Sequence, residues 1–338
     1  MKAVFDTRQM AHDPKTFLRM GQVQASPEQP ERARRLQSGA ATAGWDLISP
    51  KDYGLAPIAA VHGADYLAFL QTIHARWVQM PDASAEVIPN IHSRSRSDSY
   101  PSHPVGQAGW HQADMACPIG ADTWASAYWS AQSALTAAEF ALDNGASYAL
   151  CRPPGHHAFS DMAGGFCFLN NAAIAAQWMT QAGRRVAVLD VDVHHGNGTQ
   201  EIFYERSDIL TASVHADAAR FYPFFWGHPH ERGAGAGLGA NLNLSLPLGS
   251  EDSPWLHAIE RALGYSDTFG ADCLVVALGL DAHVSDPFNA LRITTQGFGA
   301  LGRRLARCGK PVVLIQEGGY LSDALSENLA AVLGAFEE

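Results

Sequence analysis

The feature that most restricts the fold of this 338-residue chain is an alternation of apolar runs and helical patterns in its second half. Apolar runs separated by helices predict parallel strands that are buried on both faces of a sheet. We therefore predict an α/β fold with a parallel sheet covered by helices on both sides. The predicted strands lie at 147–154, 186–193, 209–216, 241–248, 273–281 and 312–320, and the predicted helices at 123–142, 170–183, 254–269, 294–309 and 322–338.

No linker divides the chain into separate units. The sequence contains no Gly/Ser-rich or Pro-rich linker and no repeat at a fixed period, so we predict a single domain over residues 1–338. Two polar segments show little periodicity and are expected to be loops, namely 81–122 and an insertion at about 8–30. Loops of this length in a compact domain are usually functional or mobile.

Charge and cysteine content restrict the partners and the compartment. The net charge is −11 and no run of Lys or Arg is present, which argues against a nucleic-acid partner because phosphate binding needs clustered positive charge. The five cysteines form no C-x-x-C pair, which is typical of reduced thiols in the cytoplasm. No stretch is apolar over membrane-spanning length, so we also expect no membrane partner.

Titratable side chains gather where four of the predicted strands end. Ligands of open α/β sheets bind beyond the carboxyl ends of the strands, so these residues are expected to meet at one edge of the sheet. They are His156 and His157 in "CRPPGHH", Asp190, Asp192 and His194 in "LDVDVHHGN", Asp281 in "LGLDAH", and Glu317 and Tyr320 in "QEGGY".

The spacing within "LDVDVHH" predicts a metal site. Asp192 and His194 are two residues apart on an extended segment, so their side chains point the same way, and Asp281 can join them from a neighbouring strand. Two carboxylates and one imidazole with an open position are typical of catalytic zinc. Asp190 shares this parity and either orients a histidine or binds a hard cation. We interpret the remaining isolated histidines as structural, namely His12, His62, His74, His92, His111 and His257.

Five segments together resemble the arginase–deacetylase superfamily, and specifically its histone-deacetylase-like zinc amidohydrolases. The segments are "CRPPGHHA", "GGFCFLNNAAIAA", "VAVLDVDVHHGNGTQEIFY", "ALGLDAHVSDP" and "QEGGY", in matching order. Together with the N-terminal segment "SPEQPERARRL", the sequence of these segments is most similar to that of the bacterial acetylpolyamine amidohydrolases. The resemblance implies the arginase–deacetylase fold, with about eight parallel strands.

The resemblance also implies an activity. It implies a zinc-dependent deacetylase that removes an acetyl or small acyl group from an aminoalkyl substrate, such as an acetylpolyamine or acetyl-lysine. It further implies one Zn²⁺ per chain and a structural K⁺. The residues so implied are Asp192, His194 and Asp281 as metal ligands, His156, His157 and Tyr320 as catalytic residues, Asp190 and Asn197 as partners of the histidines, Asp190 and Ser213 as potassium ligands, and Gly165, Phe166 and Tyr222 as walls of the substrate tunnel.

The substrate and the oligomeric state are less closely determined. Polyamine deacetylases of this family carry acidic residues at the tunnel mouth, but here these positions fall on Val105 and Ala116, with Asp114 out of register. An acetyl-lysine peptide or another small acylated amine therefore stays open as substrate, as do the acyl length and the choice between zinc and ferrous iron. Family members with a long N-terminal loop dimerise through it, so a homodimer through the segment at 8–30 is expected.

Two other functions compete with a deacetylase. An arginase-like ureohydrolase with two manganese ions needs further bridging carboxylates, yet no acidic residue follows His194 until Glu201. A non-catalytic acyl-amine binding protein would be expected to have lost His157, Tyr320 or a metal ligand, and all of these are present.

Overall fold

The computed structural model describes residues 1–93, 96 and 99–338, and its central feature is an eight-stranded sheet. The strands are β1 (Lys2–Val4), β2 (Thr16–Arg19), β3 (Gln22–Ala25), β4 (Asp46–Ile48), β5 (Ala146–Ala149), β6 (Val186–Asp190), β7 (Ile209–Ala216), β8 (Asn241–Leu246), β9 (Cys273–Leu278) and β10 (Val312–Gln316). The helices are α1 (Pro30–Thr42), α2 (Ala56–Ala59), α3 (Ala64–Trp77), α4 (Pro104–His111), α5 (Thr123–Asn144), α6 (Asn171–Gln181), α7 (Asn197–Phe203), α8 (Asp252–Phe269), α9 (Thr295–Ala306) and α10 (Leu325–Gly334).

The sheet is parallel and is buried on both faces, as predicted. Its strand order is β4-β1-β5-β10-β9-β6-β7-β8, and every pair is parallel. Successive side chains of a strand point to opposite faces. In β6, Ala187 and Leu189 accordingly join the core under α1, α8, α9 and α10, whereas Val186 and Val188 join the core under α5 and α6.

The six predicted strands and five predicted helices are present, but the two predicted loops are partly wrong. The segment at 8–30 contains the antiparallel hairpin β2–β3, and the segment at 81–122 contains α4. All four residues of β3 are exposed, so that strand has no buried face to produce an alternating pattern. None of the described helices combines the length and the apolarity needed to cross a bilayer.

The strand order explains why the polar strand ends meet. β5, β10, β9 and β6 are consecutive neighbours, and their last residues are nearly level: Ile315 pairs with Ala149, Gln316 with Leu278, and Asp190 with Ala277. The loops that follow these four strands therefore leave the sheet side by side. The four chemistry-bearing segments of the sequence thus share one edge.

A buried ionic cluster ties the segment before α1 to this edge. Glu28 lies 2.6 Å from Arg32 and 2.9 Å from Arg152, and all three side chains are at most 1% exposed. Arg32 also donates to the backbone carbonyls of Glu317 and Gly319, which follow β10. Removing one partner from such a cluster leaves charges buried without compensation.

We predict that Glu28→Gln lowers the free energy of unfolding by about 3–5 kcal/mol, because two buried guanidinium groups lose their counter-charge. The shift is measured as the midpoint of urea unfolding, with the slope unchanged. Glu31→Gln is the matched control, since Glu31 pairs with Arg34 and Arg35 on the exposed face of α1. Equal midpoints for the two variants would contradict the prediction.

Candidate active site

Asp192, His194 and Asp281 converge beyond the ends of β6 and β9. His194 Nδ1 lies 3.0 Å from Asp192 Oδ1 and 3.1 Å from Asp281 Oδ2, and one ligand atom from each residue fits within 4.8 Å of the others. The route to this arrangement differs from the sequence argument. β6 ends at Asp190, so Asp192 and His194 lie in a bend, where Asp192 Oδ1 accepts the His194 backbone N–H at 2.9 Å.

The chemistry of these three groups fits a divalent cation. Both carboxylates are fully buried. Burial and the neighbouring Asp192 carboxylate raise the pKa of Asp281 to about 6, because two negative charges in one pocket repel each other. Mixed carboxylate and imidazole donors suit zinc or ferrous iron. Within the described ranges this is the one group of three or more such side chains, so no second metal position of the arginase kind is found.

Gly318 lets the turn after β10 approach the two carboxylates. Its backbone N–H donates to Asp192 Oδ2 at 2.7 Å. A Cβ atom at this position would lie 2.2 Å from Asp281 Oδ2 and 2.5 Å from Asp192 Oδ2, far inside van der Waals contact. The first glycine of "EGGY" is therefore required by the close approach of these two carboxylates.

The tandem histidines have different partners and different protonation states. His156 Nδ1 lies 2.9 Å from Asp190 Oδ2, and His157 Nδ1 lies 2.6 Å from Asn197 Oδ1. Although burial opposes the charge, Asp190 and Asp192 raise the pKa of His156 to about 10. Burial and the neighbouring His156 and His194 hold the pKa of His157 well below its usual range. One imidazole is thus a cation at neutral pH, and the other is a neutral base.

Tyr320 lines the same pocket as His194, and its hydroxyl is protonated. Its ring centroid lies 4.9 Å from that of Phe288 and 5.8 Å from that of Phe166, and its backbone N–H donates to Asp286 Oδ2 at 2.9 Å. The Arg32 guanidinium lies 4.7 Å from the ring centroid. Burial raises the pKa of the phenol well above its ordinary value, so the hydroxyl is a hydrogen-bond donor at neutral pH.

A pocket of about 330 Å³ leads from the surface to these groups. The predicted wall residues Gly165, Phe166 and Tyr222 all line it, and their neighbours are mainly apolar. The hairpin of the 8–30 segment supplies further lining residues, which sequence reasoning missed. The lining residues not foreseen include Phe17, Leu18, Arg19 and Met20 from the hairpin, and Phe288 from the loop after β9.

Asp114, which the sequence places near the tunnel mouth but out of register with the acidic positions of the polyamine deacetylases, contributes to the pocket. Its carboxylate lines the pocket, where Oδ2 accepts the Tyr222 hydroxyl at 2.6 Å and the Gly165 N–H at 3.1 Å. Ala116 also lines the pocket, whereas Val105 packs against a separate core cluster. Asp114 and Ala116 lie in the segment that follows α4, a helix that the sequence did not reveal.

Asp190 and Ser213, the predicted potassium ligands, pair directly across β6 and β7. The Asp190 carboxylate also accepts the backbone N–H of Asp192 at 3.0 Å, and Ser213 Oγ lies 2.8 Å from His215 Nδ1. Asp190 therefore contacts both the backbone of Asp192 and the side chain of His156.

The histidines interpreted as structural lie outside the pocket lining. Those that are buried have hydrogen-bond partners of their own, and burial lowers the pKa of both His12 and His62 to about 4. Their partners are Thr123 Oγ1 for His12, the Asn170 backbone N–H for His62, and the Tyr100 hydroxyl for His111.

Comparison with known proteins shows the family of the chain. Residues 26–336 match the family model described as "Histone deacetylase domain". The chain is 47% identical to the acetylpolyamine amidohydrolase of Burkholderia pseudomallei (strain 1710b), covering 99% of this chain and 98% of the relative. It is 38% identical to the acetylpolyamine amidohydrolase of Mycoplana ramosa, with 98% of both chains covered.

Solved structures share the fold. The crystal structure of the acetylpolyamine aminohydrolase from Burkholderia pseudomallei superposes with a TM-score of 0.96 at 47% identity, covering 99% of this chain and 98% of that one. The HD domain of HDA15 superposes with a TM-score of 0.79 at 27% identity, covering 99% and 89%. The chain therefore belongs to the histone deacetylase family, within the arginase–deacetylase superfamily.

Proposed function

We propose that this protein is a zinc-dependent deacetylase that removes an acetyl or small acyl group from an aminoalkyl substrate, with acetylpolyamines as the first candidates. One observation carries the proposal: a charged and a neutral histidine, a protonated tyrosine and a three-residue ligand group meet beside one apolar pocket. Hydrolysis of an amide needs a base, a carbonyl polariser and a proton donor for the departing amine.

Asp192, His194 and Asp281 would hold the ion. A bound zinc ion lowers the pKa of a water ligand to about 7 and acts as a Lewis acid on an amide carbonyl. Ferrous iron suits the same donors, so the choice between zinc and iron is left to the metal-restoration experiment described below.

The protein's own residues move the protons. The Nδ1–H of His157 donates to Asn197 Oδ1, which leaves Nε2 free to accept a proton from the attacking water and to pass it to the leaving nitrogen. His156 keeps its charge beside Asp190 and stabilises negative charge that develops nearby. The Tyr320 hydroxyl donates to the carbonyl oxygen as that oxygen becomes negative.

The walls of the pocket suit an acylated aminoalkyl chain. Aromatic side chains in the lining can accept an apolar stem, and the Asp114 carboxylate in the lining can attract a distal ammonium group. The relatives described as acetylpolyamine amidohydrolases support the same substrate class. Acetyl-lysine has the same acylated stem and is the competing candidate.

The proposal includes a structural K⁺ at Asp190 and Ser213 and a homodimer built through the segment at 8–30. Exposed apolar side chains support the dimer: Met20 is 91% exposed and Val23 72% exposed on the hairpin, and Phe225 is 78% exposed. Apolar groups in such positions are commonly covered by a partner.

We predict that Tyr320→Phe keeps the fold but lowers kcat by about 10²–10³, because removing one donor to a developing oxyanion costs this much. The measurement is steady-state kinetics on metal-loaded protein, with the melting temperature as the check on folding. Tyr222→Phe is the control, since it removes a hydroxyl from the pocket wall without removing the proposed carbonyl donor. A Tyr320→Phe enzyme that works at the full rate would refute the assigned role.

We also predict that a chelator abolishes hydrolysis of acetylated amines and that Zn²⁺ or Fe²⁺, added alone, restores it. Asp281→Asn should weaken metal binding strongly, because it removes one of the two negative charges among the three ligands. Metal content and affinity are measured on the purified protein beside its activity. Full activity in metal-free protein would rule out the proposed function.

A third prediction concerns the substrate. Asp114→Asn is expected to lower kcat/KM for N-acetylputrescine by about tenfold more than for the uncharged N-butylacetamide, because only the first carries an ammonium group for the carboxylate to attract. The two substrates serve as each other's control for changes in pocket shape. Equal losses for both would mean that Asp114 only holds the pocket walls together.

A further inference from the structure

Glu317 connects the end of β10 to the tandem histidines on the neighbouring strand end. It follows β10 directly, and β10 pairs with β5, after which His156 and His157 come. The Glu317 side chain is fully buried. Its Oε2 atom accepts the backbone N–H of Gly155 at 2.6 Å and that of His156 at 3.0 Å.

The backbone of Glu317 is itself held in place. The Glu317 backbone N–H donates to Leu278 O of β9 at 2.9 Å, and its carbonyl accepts from Arg32 Nη2 at 2.7 Å. Arg32 is buried and paired with Glu28. The carboxylate therefore extends from a backbone position that the sheet and the ionic cluster hold on both sides.

The segment that donates these hydrogen bonds is held on its other side as well. The carbonyl of His156 accepts the backbone N–H groups of Gly198 at 3.0 Å and Thr199 at 3.2 Å, at the start of α7. A Cβ at Gly155 would lie 2.4 Å from the Asn171 backbone nitrogen, so this backbone also presses against the start of α6. Glu317 holds the N–H groups of the same segment from the opposite side.

A carboxylate is a costly choice for this task. Burying it opposes its charge and raises the pKa of Glu317 to about 7. Oε1 has no hydrogen-bond partner among the described residues, so all the side-chain hydrogen bonds of Glu317 go to Gly155 and His156. Two charge-assisted hydrogen bonds to adjacent N–H groups fix the direction of a peptide more strongly than one neutral bond would.

We propose that Glu317 is a positioning residue for catalysis: it sets where His156 and His157 stand relative to Asp192, His194 and Asp281. This inference rests on the proposed function, because it assumes that the two histidines move or hold protons there. It assigns to Glu317 no contact with substrate and no ligand position. Small displacements of catalytic groups cost rate rather than affinity, with about 10²-fold for a shift near 1 Å.

The test uses Glu317→Met, which removes both oxygens at similar volume, and Glu317→Gln, which keeps one oxygen to accept both N–H groups but removes the charge that strengthens these hydrogen bonds. We expect kcat for N-acetylputrescine to fall by about 10²-fold in Glu317→Met and by about tenfold in Glu317→Gln, with KM and metal affinity within about threefold of the parent. Each kcat is normalised to the folded fraction of the variant, measured by circular dichroism, because unfolded protein lowers the apparent kcat at constant KM. A lower normalised kcat at parental KM and parental metal affinity, the latter measured by competition, then indicates positioning.

Glu201→Gln is the matched control, because Glu201 also accepts a backbone N–H of this loop, from Ser160 at 3.2 Å, but beyond the histidines. It should keep the parent kcat. A Glu317→Met enzyme with parental kcat, or one whose loss is entirely loss of metal, would overturn the proposal. If Glu317→Met does not fold, Glu317→Gln decides alone, and a parental kcat there overturns it. Parent protein that hydrolyses no acetylated amine instead contradicts the proposed function.

Discussion

The arrangement of the whole site depends on the confinement of two buried carboxylates, Asp192 and Asp281, against one imidazole. Like charges so close are unfavourable without a cation, so the surrounding chain must supply compensation at short range. It does this with backbone donors: Gly318 N–H reaches Asp192, and Val193 N–H reaches Asp281 at 3.0 Å. Both contacts require strand ends that are adjacent and level, which the parallel order of β10, β9 and β6 provides.

Asp190 and Asp192 divide the tandem histidines into two chemical types. The negative charges of these two carboxylates keep His156 charged. That charge, together with burial, keeps the adjacent His157 neutral, although the two rings are only 4.0 Å apart. Two residues of one kind thus acquire opposite roles because one pairs with a carboxylate and the other with the amide of Asn197.

The sheet and the residues at its edge could be predicted because their signals are local. Apolar runs mark buried strands, and Asp192, His194 and Asp281 stand directly after such runs. The pocket wall could not be predicted in the same way. The hairpin that carries Phe17 has an exposed second strand, and Asp114 is placed by contacts with Gly165 and Tyr222, which are 51 and 108 residues away in the sequence. Such non-local placement leaves no periodic trace.

The segment before α1 lies outside the sheet, yet it belongs to the site. Glu28 neutralises Arg32, Arg32 holds the carbonyls on both sides of Gly318, and its guanidinium faces the Tyr320 ring. All of these contacts are buried. Because the local dielectric is low, each charged group depends strongly on its neighbour in this series of contacts. A change at Glu28 therefore reaches the turn that carries Tyr320 without touching the pocket. Stability and the proposed catalysis share one set of contacts at this edge, and that is why the edge needs buried charges that a purely structural core would avoid.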